Sequence, residues 1–159
     1  MTSLRPATPT DLVTVRELLA NAGLPVEGLE DFFPEGYVVA EVEGRLVGAT
    51  GIETHEENGL LRSAVVAPEW RGHGIGRLLA EERLVWAGHR GLRAIYLLTT
   101  TAAGYFPRMG FIPIGREDVP VGVRASSEFA STCPSSAAVM RLILDPRSPL
   151  SSSRKVTSP

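Results

Sequence analysis

A predicted strand, a glycine-rich turn and a predicted helix follow one another over residues 60–87, and this stretch constrains the fold more than any other. Residues 60–67 form a short apolar run that ends at Pro68, a pattern typical of a buried strand. The helical part places large apolar residues near one face at helical spacing: Ile75, Leu78, Leu79, Val85 and Trp86. The pattern therefore predicts that the turn joins a buried strand to an amphipathic helix.

The turn carries alternate glycines at Gly72, Gly74 and Gly76, and it lies between Arg71 and Arg77. Glycines remove side chains at the start of the helix, where backbone N–H groups lack partners and the helix dipole is positive. A diphosphate can therefore approach the backbone closely. The two guanidinium groups add charge-assisted donors. The turn is predicted to bind a phosphate-bearing ligand.

Two common phosphate-binding motifs do not fit this turn. A P-loop continues with Lys and then Ser or Thr after its last glycine, whereas Arg77 and Leu78 stand here. A dinucleotide-binding fingerprint has the spacing Gly-x-Gly-x-x-Gly, and Gly76 comes one residue too early for it. The alternative that remains open is a glycine-rich turn with surface arginines and no ligand.

The spacing Arg-x-x-Gly-x-Gly, met by Arg71, Gly74 and Gly76, resembles the acyl-coenzyme A pyrophosphate loop of the GNAT acetyltransferases. The approach to the turn, from Val66 to Pro68, resembles the same family. The resemblance implies acetyl-coenzyme A as the cofactor. It also implies a set of cofactor-binding residues: Ala64, Val65, Val66, Arg71, Gly72, His73, Gly74, Ile75, Gly76, Arg77, Thr100 and Phe106.

The resemblance continues through most of the chain. Residues 103–111 resemble a second GNAT signature, in which an aromatic pair precedes Gly-Phe. Residues 96–100, which lead into this segment, resemble the acetyltransferase domain of N-acetylglutamate synthases. Residues 61–144 are most similar to the small GNAT proteins encoded in arsenic-resistance operons. The resemblance implies acetyl transfer to an amine.

Periodicity and turn residues predict the order of the elements. Strands are predicted at residues 1–5, 37–42, 45–54, 60–67, 93–98, 111–114 and 137–144. Helices are predicted at residues 9–22, 75–87, 102–109 and 120–130. This order predicts an α/β (α+β) fold with a mixed, mostly antiparallel central sheet of six or seven strands and helices on both faces. The resemblance implies that this is the GNAT fold.

The composition is that of an ordinary soluble protein, with 159 residues, 43% hydrophobic residues and a formal charge of −2. One domain is predicted over residues 1–144, and the proline- and serine-rich residues 145–159 are predicted to be a disordered tail. The low charge argues against a nucleic-acid partner, and no apolar run could span a membrane. A lone cysteine, Cys133, argues against a disulfide framework or a cysteine metal cluster. Cytoplasm is the expected compartment, no metal is predicted, and a homodimer is left open.

The usual proton donor of the GNAT reaction is displaced in this sequence. Many GNAT enzymes carry a tyrosine four residues before the Gly-Phe pair, and it protonates the leaving coenzyme A thiolate. Phe106 occupies that position, and the hydroxyl sits one place earlier, on Tyr105. Tyr105 is therefore the candidate general acid. Because adjacent helical residues point about a quarter-turn apart, core packing of Tyr105 stays open as the alternative.

Three further residues are candidates for binding or activating the acceptor. Glu53, a carboxylate in an otherwise apolar strand, is the candidate general base, and exposure at a strand end is the alternative. Arg62 interrupts the next apolar strand and is the candidate for an acceptor carboxylate, with an internal Glu as the alternative partner. Phe33 is a candidate wall of the acceptor pocket or an ordinary core residue. A backbone N–H near Val66 is the candidate donor to the oxyanion.

These residues and the resemblance predict an N-acetyltransferase that uses acetyl-coenzyme A. The acceptor would be the amino group of a small molecule, with a glutamate-like amino acid favoured, and it would attack the thioester directly in a ternary complex. The alternative is a non-catalytic acyl-coenzyme A sensor or interaction module, which Phe106 alone supports.

Overall fold

A computed structural model describes residues 1–99, 106–126 and 138–144 of the chain. The described residues contain seven strands: β1 (Thr2–Pro6), β2 (Tyr37–Val42), β3 (Arg45–His55), β4 (Asn58–Val66), β5 (Ala94–Thr99), β6 (Ile112–Ile114) and β7 (Ala138–Ile143). They form one sheet in the order β1-β2-β3-β4-β5-β7-β6. The helices are α1 (Leu12–Asn21), α2 (Leu29–Phe32), α3 (Ile75–His89) and α4 (Val121–Arg124).

The sheet is mixed and mostly antiparallel. The strand β2 pairs antiparallel with both β1 and β3, and β7 pairs antiparallel with both β5 and β6. The strands β4 and β5 are parallel, as their connection through the helix α3 requires. The predicted fold, a mixed sheet of six or seven strands flanked by helices, is confirmed.

Contacts group the chain into two compact units. The first comprises Met1–Glu53 and Leu61–Arg83, and the second comprises Thr54–Leu60 and Leu84–Pro159. The single domain over residues 1–144 stays a prediction. The predicted tail, residues 145–159, lies outside the described residues.

In the first unit, the strand β2 is buried on both of its faces. One face packs against α1 in a core cluster of Val15, Leu19, Leu29, Tyr37, Val39, Ala49 and Val65. The other face packs against α3 in a cluster of Val38, Ala40, Val42, Val47, Ala67, Ile75 and Leu79. Successive strand residues point to opposite faces, so the nearly continuous apolar run of β2 serves two helices at once.

The β2–β3 hairpin turns at Glu43 and Gly44, between the strands predicted at residues 37–42 and 45–54. Both residues have positive φ, 52° and 79°, which favours the tight turns whose twist matches that of the strands. The residues that flank the turn, Val42 and Arg45, are paired across the hairpin. The local turn chemistry therefore sets the register of β2 and β3.

The strand β3 contains two glycines, Gly48 and Gly51, at positions where a side chain would not fit. The pairing of β2 with β3 shifts register within the hairpin. A Cβ at Gly48 would lie 3.0 Å from the carbonyl oxygen of Val65, and one at Gly51 would lie 2.5 Å from the ring of Tyr37. Glycine is needed here because backbone and ring approach too closely for a side chain.

The predicted N-terminal helix begins differently from the prediction. Pro9–Asp11 forms a 3-10 turn, and the α-helix begins only afterwards. Asp11 accepts a hydrogen bond from the backbone N–H of Thr8 at 2.8 Å and bonds from both terminal nitrogens of Arg5 at 2.8 and 3.0 Å. The hydrogen bonds from Arg5 lower the pKa of Asp11 from 3.8 to about 2. Arg5 also donates to Glu41 at 3.0 Å, so the turn is tied to β2.

The apolar face predicted for α3 is wrong at Leu78 and Val85, which are 45% and 50% exposed. The prediction is confirmed at Ile75 and Leu79, and the buried residues of α3 also include Ala80, Arg83, Leu84 and Ala87. The spacing of four residues from Ile75 onward defines the true stripe, because such residues lie one above another on a helix. The helix also continues through Gly88 to His89, and Gly91 follows it with a φ of 77°.

In the second unit, α4 is shorter than the predicted helix over 120–130, whose last residues lie outside the described ones. Its side chains join a core cluster of Leu60, Ala94, Tyr96, Val119, Val123 and Val139. In the described part of the chain, no helix has the length and apolar character that a bilayer crossing requires.

Candidate functional site

The predicted anion-binding turn lies at the start of α3. Residues 71–74 are all exposed, and Gly72 and Gly74 have φ of 83° and 79°. The N–H of Leu78 donates to the carbonyl oxygen of Gly74 at 3.1 Å, so Gly74 accepts the first helical bond. The N–H groups of the following turn have no carbonyl within the helix to bond.

Positive φ at two alternate residues points successive backbone N–H groups toward one side, which is a common anion-binding arrangement. A Cβ at Gly72 or Gly74 would meet no heavy atom of the described residues within 4 Å. The space over these glycines is thus open to a ligand, and the backbone conformation there favours glycine. Helix dipole, bare backbone and open space coincide at this turn.

Three side chains of the turn and of the first helical turn make local hydrogen bonds, and that of Arg71 reaches the end of β4. Arg71 Nε donates to the carbonyl oxygen of Val66 at 3.0 Å. His73 Nδ1 lies 3.1 Å from the carbonyl oxygens of both Trp70 and Arg71. Because carbonyl oxygens only accept, this ring nitrogen carries the proton. Arg77 Nε donates to Glu81 Oε2 at 2.9 Å one helical turn on.

The strand that leads into this turn changes its exposure pattern at Ser63. Ser63 is buried and has a positive φ of 60°, which is uncommon for a residue other than glycine. After it, Ala64 is exposed, Val65 is buried and Val66 is half-buried. The three predicted cofactor-binding residues of β4 thus alternate between surface and core, with Ala64 offering its side to solvent.

Glu53 and Arg62 lie together in the interior of the first unit. Arg62 Nη1 donates to Glu53 Oε2 at 2.7 Å, and the two side chains are 0% and 2% exposed for Arg62 and Glu53 respectively. Arg62 Nε donates to Ser63 Oγ at 3.0 Å, and Nη2 lies 3.5 Å from the carbonyl oxygen of Pro25. Glu53 is therefore the internal carboxylate partner that the sequence left open for Arg62. The base role of Glu53 and the acceptor-binding role of Arg62 stay predictions.

Aromatic residues border this buried pair. Tyr37 is buried, and its hydroxyl lies 3.0 Å from Ser63 Oγ. Phe33 is half-buried, and its ring lies 5.0 Å from that of Tyr37 at a tilt of 50°. Such tilted pairs are favourable beyond their buried area. Phe33 is thus linked through Tyr37 to the same hydrogen-bonded group as Arg62.

Phe106 is half-buried and contacts Phe111, with the ring centroids 5.6 Å apart and nearly perpendicular. Its carbonyl oxygen accepts hydrogen bonds from the N–H groups of Met109 and Phe111 at 3.0 and 3.1 Å. Of the helix predicted over 102–109, the described part contains a 3-10 turn, Pro107–Met109. Its first residue is a proline, which has no backbone N–H to leave unpaired there. Tyr105, Thr100 and Cys133 lie outside the described residues.

The sequence analysis missed one polar residue, Arg83. It is 3% exposed and donates from Nη1 to the carbonyl oxygen of Gly36 at 2.9 Å. Its spacing could have revealed it. Arg83 follows Ile75 and Leu79 at intervals of four residues, which places it on the buried face of α3. Among the described residues, no cluster of His, Cys, Asp and Glu side chains is arranged to hold a metal ion.

Comparison with known proteins gives a family for this arrangement. The profile of the acetyltransferase (GNAT) family matches residues 11–111. An uncharacterized N-acetyltransferase of Chlorobaculum tepidum is 33% identical over 96 residues, which are 60% of this chain and 58% of that protein. An amino-acid acetyltransferase of Pseudomonas putida is 35% identical over 94 residues, which are 58% of this chain and 22% of that protein. The chain therefore spans only part of the length of these relatives.

Solved structures show the same fold. The N-acetylglutamate synthase of Neisseria gonorrhoeae, complexed with coenzyme A and N-acetyl-glutamate, superposes with a TM-score of 0.76 at 21% identity. The match covers 91% of this chain and 35% of that one. The predicted GNAT fold is thereby confirmed, whereas the link to arsenic resistance stays a prediction.

Proposed function

This chain belongs to the acetyltransferase (GNAT) family, and from that premise we propose that it transfers an acetyl group from acetyl-coenzyme A to the amino group of a small molecule. The favoured acceptor is a glutamate-like amino acid. The observation that carries the proposal is the turn over residues 71–74, whose exposed glycines with positive φ lead into the first turn of α3.

The turn suits the diphosphate of acetyl-coenzyme A. The N–H groups that lack helical partners donate to the phosphate oxygens, and the helix dipole favours their charge. Arg71 and Arg77 are exposed on either side and supply positive charge. Similarity to a synthase complexed with coenzyme A supports this assignment. Ala64 is exposed near the end of β4, where the arm of acetyl-coenzyme A that carries the thioester would lie.

Arg62 is the proposed ligand of an acceptor carboxylate. Its 3.5 Å contact with the Pro25 carbonyl is long for a hydrogen bond, and a carboxylate could replace it with a shorter, charge-assisted one. Without a bound acceptor, the Glu53 carboxylate balances the charge of the Arg62 guanidinium. Similarity to amino-acid acetyltransferases favours an acceptor that carries such a group. Phe33 contacts Tyr37, whose hydroxyl lies next to Ser63. Phe33 is therefore the proposed wall beside the acceptor.

Only the unprotonated amine attacks the thioester. For an α-amino group with a pKa of about 8, deprotonation at pH 7 costs roughly 1.4 kcal/mol. For a lysine-like amine with a pKa of about 10.4 it costs roughly 4.6 kcal/mol. An α-amino acceptor therefore needs no strong base, and water or Glu53 suffices. A backbone N–H near Val66 stabilises the oxyanion, and Tyr105 protonates the departing thiolate.

Release of free thiol from acetyl-coenzyme A tests the proposal. The protein is incubated with acetyl-coenzyme A and a panel of amino acids, and the products are identified by mass spectrometry. Acceptor-dependent thiol release with an N-acetylated product supports the transferase.

The alternative function is a non-catalytic sensor of acyl-coenzyme A. Its support is Phe106, which stands where many family members have a tyrosine. Binding of acetyl-coenzyme A without turnover of any amine would establish that sensor and overturn the transferase.

A further inference from the structure

A buried arginine, Arg83, lies on the helix α3 in the first unit. It is 3% exposed on the face of α3 that packs into the core. A buried guanidinium is costly unless its charge is paired and its N–H groups are hydrogen-bonded. The burial of Arg83 is therefore best understood from the groups that its guanidinium binds.

Three nitrogens of Arg83 donate hydrogen bonds to Glu82 and Gly36. Nε and Nη2 donate to the two carboxylate oxygens of Glu82, at 2.6 and 2.9 Å. This bidentate pairing fixes the plane of the guanidinium. Nη1 then donates to the carbonyl oxygen of Gly36 at 2.9 Å, in a buried bond between residues 47 positions apart. The Glu82 carboxylate thus orients the guanidinium of Arg83, and the oriented guanidinium donates to the Gly36 carbonyl.

Gly36 is the last residue of a tight turn that carries Phe33. Its own N–H donates to the carbonyl oxygen of Phe32 at 3.3 Å, and its carbonyl oxygen also accepts from the N–H of Ile52 at 3.0 Å. A Cβ on Gly36 would lie 2.2 Å from the Ile52 carbonyl oxygen, so the turn is pressed against β3. Arg83 holds the same carbonyl from the helix, and the turn is clamped between two elements.

We infer that Arg83 is a positioning residue for acceptor binding, acting through the Gly36 carbonyl on Phe33 and Tyr37. This inference rests on the proposed function, in which Phe33 lines the acceptor site. Phe33 precedes Gly36 by three residues, Tyr37 follows it directly, and the two rings are in contact. A displacement of the Gly36 backbone therefore moves both rings. The same helix begins at the cofactor turn, so Arg83 links the donor-binding element to the acceptor-binding turn.

Replacement of Arg83 by methionine tests this inference. Arg83→Met removes every donor and keeps an unbranched chain. With acetyl-coenzyme A and L-glutamate as substrates, we expect the KM for glutamate to rise about tenfold or more, since misplacement of a positioning group by an ångström is costly. The Kd of acetyl-coenzyme A stays within about twofold of wild type, because its backbone donors are untouched. A merely structural arginine would lower Tm and the active fraction without raising KM.

Two further variants sharpen the result. Arg83→Lys keeps one charged donor that can reach Gly36 but cannot pair with both oxygens of Glu82, and its KM should lie about threefold above wild type. Arg90→Met removes an exposed arginine that follows the end of α3 in sequence and lies over the ring of Trp86, and it should keep the wild-type KM. A wild-type KM in folded Arg83→Met overturns the inference. If that variant does not fold, a wild-type KM in Arg83→Lys overturns it instead.

Amide hydrogen exchange separates this inference from the proposed function. Without any substrate, the segment 32–37 should exchange about tenfold faster in Arg83→Met than in wild type, because a local opening there becomes easier. Arg90→Met should leave it unchanged. If the wild-type protein acetylates no amino acid, the proposed function is wrong. Faster exchange in Arg83→Met would still show that Arg83 restrains the turn at Gly36. Unchanged exchange in Arg83→Met overturns the inference whatever the activity.

Discussion

Arg62 donates a hydrogen bond to Glu53 at 2.7 Å, and neither side chain is more than 2% exposed. The candidate base and the candidate carboxylate ligand are thus one buried ion pair. Removal of one partner leaves an uncompensated charge in the interior, which costs about 3–5 kcal/mol in other proteins. Experiments on either residue must therefore separate a loss of stability from a loss of acceptor binding.

Arg62→Lys separates the two effects. Lysine keeps the positive charge beside Glu53 but cannot offer two parallel hydrogen bonds to a carboxylate. We expect the KM for an acidic amino acid to rise about tenfold, the worth of one lost charge-assisted bond. Acetyl-coenzyme A binding should stay nearly intact. Steady-state kinetics and calorimetry measure the two quantities.

Glu53→Gln is the matched control for Arg62→Lys. It removes the internal carboxylate and leaves the guanidinium in place. If both variants only lower Tm and keep the wild-type KM, the pair is structural. In that case the acceptor carboxylate binds elsewhere, and Arg108, which is exposed, is the next residue to test.

Gly74→Val tests the cofactor turn. Gly74 has a φ of 79° and opens onto free space among the described residues, so a valine there strains the backbone and projects where the diphosphate binds. We expect the Kd of acetyl-coenzyme A to rise about tenfold or more, since at least one or two backbone hydrogen bonds are lost. Arg71→Ala should weaken binding less, because it removes one exposed guanidinium.

Gly91→Val is the control for Gly74→Val. Gly91 has nearly the same backbone conformation, with a φ of 77°, beyond the other end of α3. It should lose similar stability and keep the wild-type affinity. Calorimetric titration that finds an unchanged Kd in both Gly74→Val and Arg71→Ala would remove the diphosphate assignment.

Tyr105→Phe tests the general acid. A placed proton donor contributes about 10²–10⁴-fold to rate, so kcat should fall by that factor with little change in acetyl-coenzyme A affinity. The thiolate has an ordinary pKa of about 8.5, so some activity remains. A loss of less than about threefold assigns Tyr105 to packing. Phe106→Tyr, which restores the tyrosine of the family pattern, should then raise kcat.

Asp11→Asn tests the pH dependence of stability. Hydrogen bonds from Arg5 lower the pKa of Asp11 from 3.8 to about 2. A carboxyl with a lowered pKa stabilises the fold above the unfolded value and loses that contribution as the pH falls through the folded value. Arg5 is about a third exposed, so screening reduces the contribution to about 1 kcal/mol. Between pH 5 and pH 2, wild type should lose about 1 kcal/mol more than Asp11→Asn in urea unfolding. Equal losses would contradict this.

The position of the glycine-rich turn over residues 71–74, at the start of α3, was predictable from sequence because its geometry is local. Glycine spacing, the preceding proline and the flanking arginines act within a few residues of one another. The hairpin at Glu43 and Gly44 was predictable for the same reason. The ends of most strands shift by one or two residues from their predicted places, because hydrogen bonding to neighbouring strands decides where pairing stops.

The buried ion pair and Arg83 depend on contacts between residues distant in sequence. Glu53 and Arg62 were each singled out, but only the packing of neighbouring strands reveals that they bind each other. Leu78 and Val85 were placed in the core because apolar residues usually are, whereas Arg83 has the spacing that faces inward. A pattern of apolar residues cannot anticipate an arginine that reaches a backbone carbonyl 47 positions away.

The two-sided burial of β2 has a consequence for engineering. A single inserted or deleted residue inside this strand would reverse every side chain beyond it and direct the ring of Tyr37 toward the smaller space occupied by valine and alanine. Tolerance to insertion should therefore be confined to the strand ends. The exposed turn at Glu43 and Gly44 is the place where a fluorescent label or an affinity peptide can be introduced without exchanging the two cores.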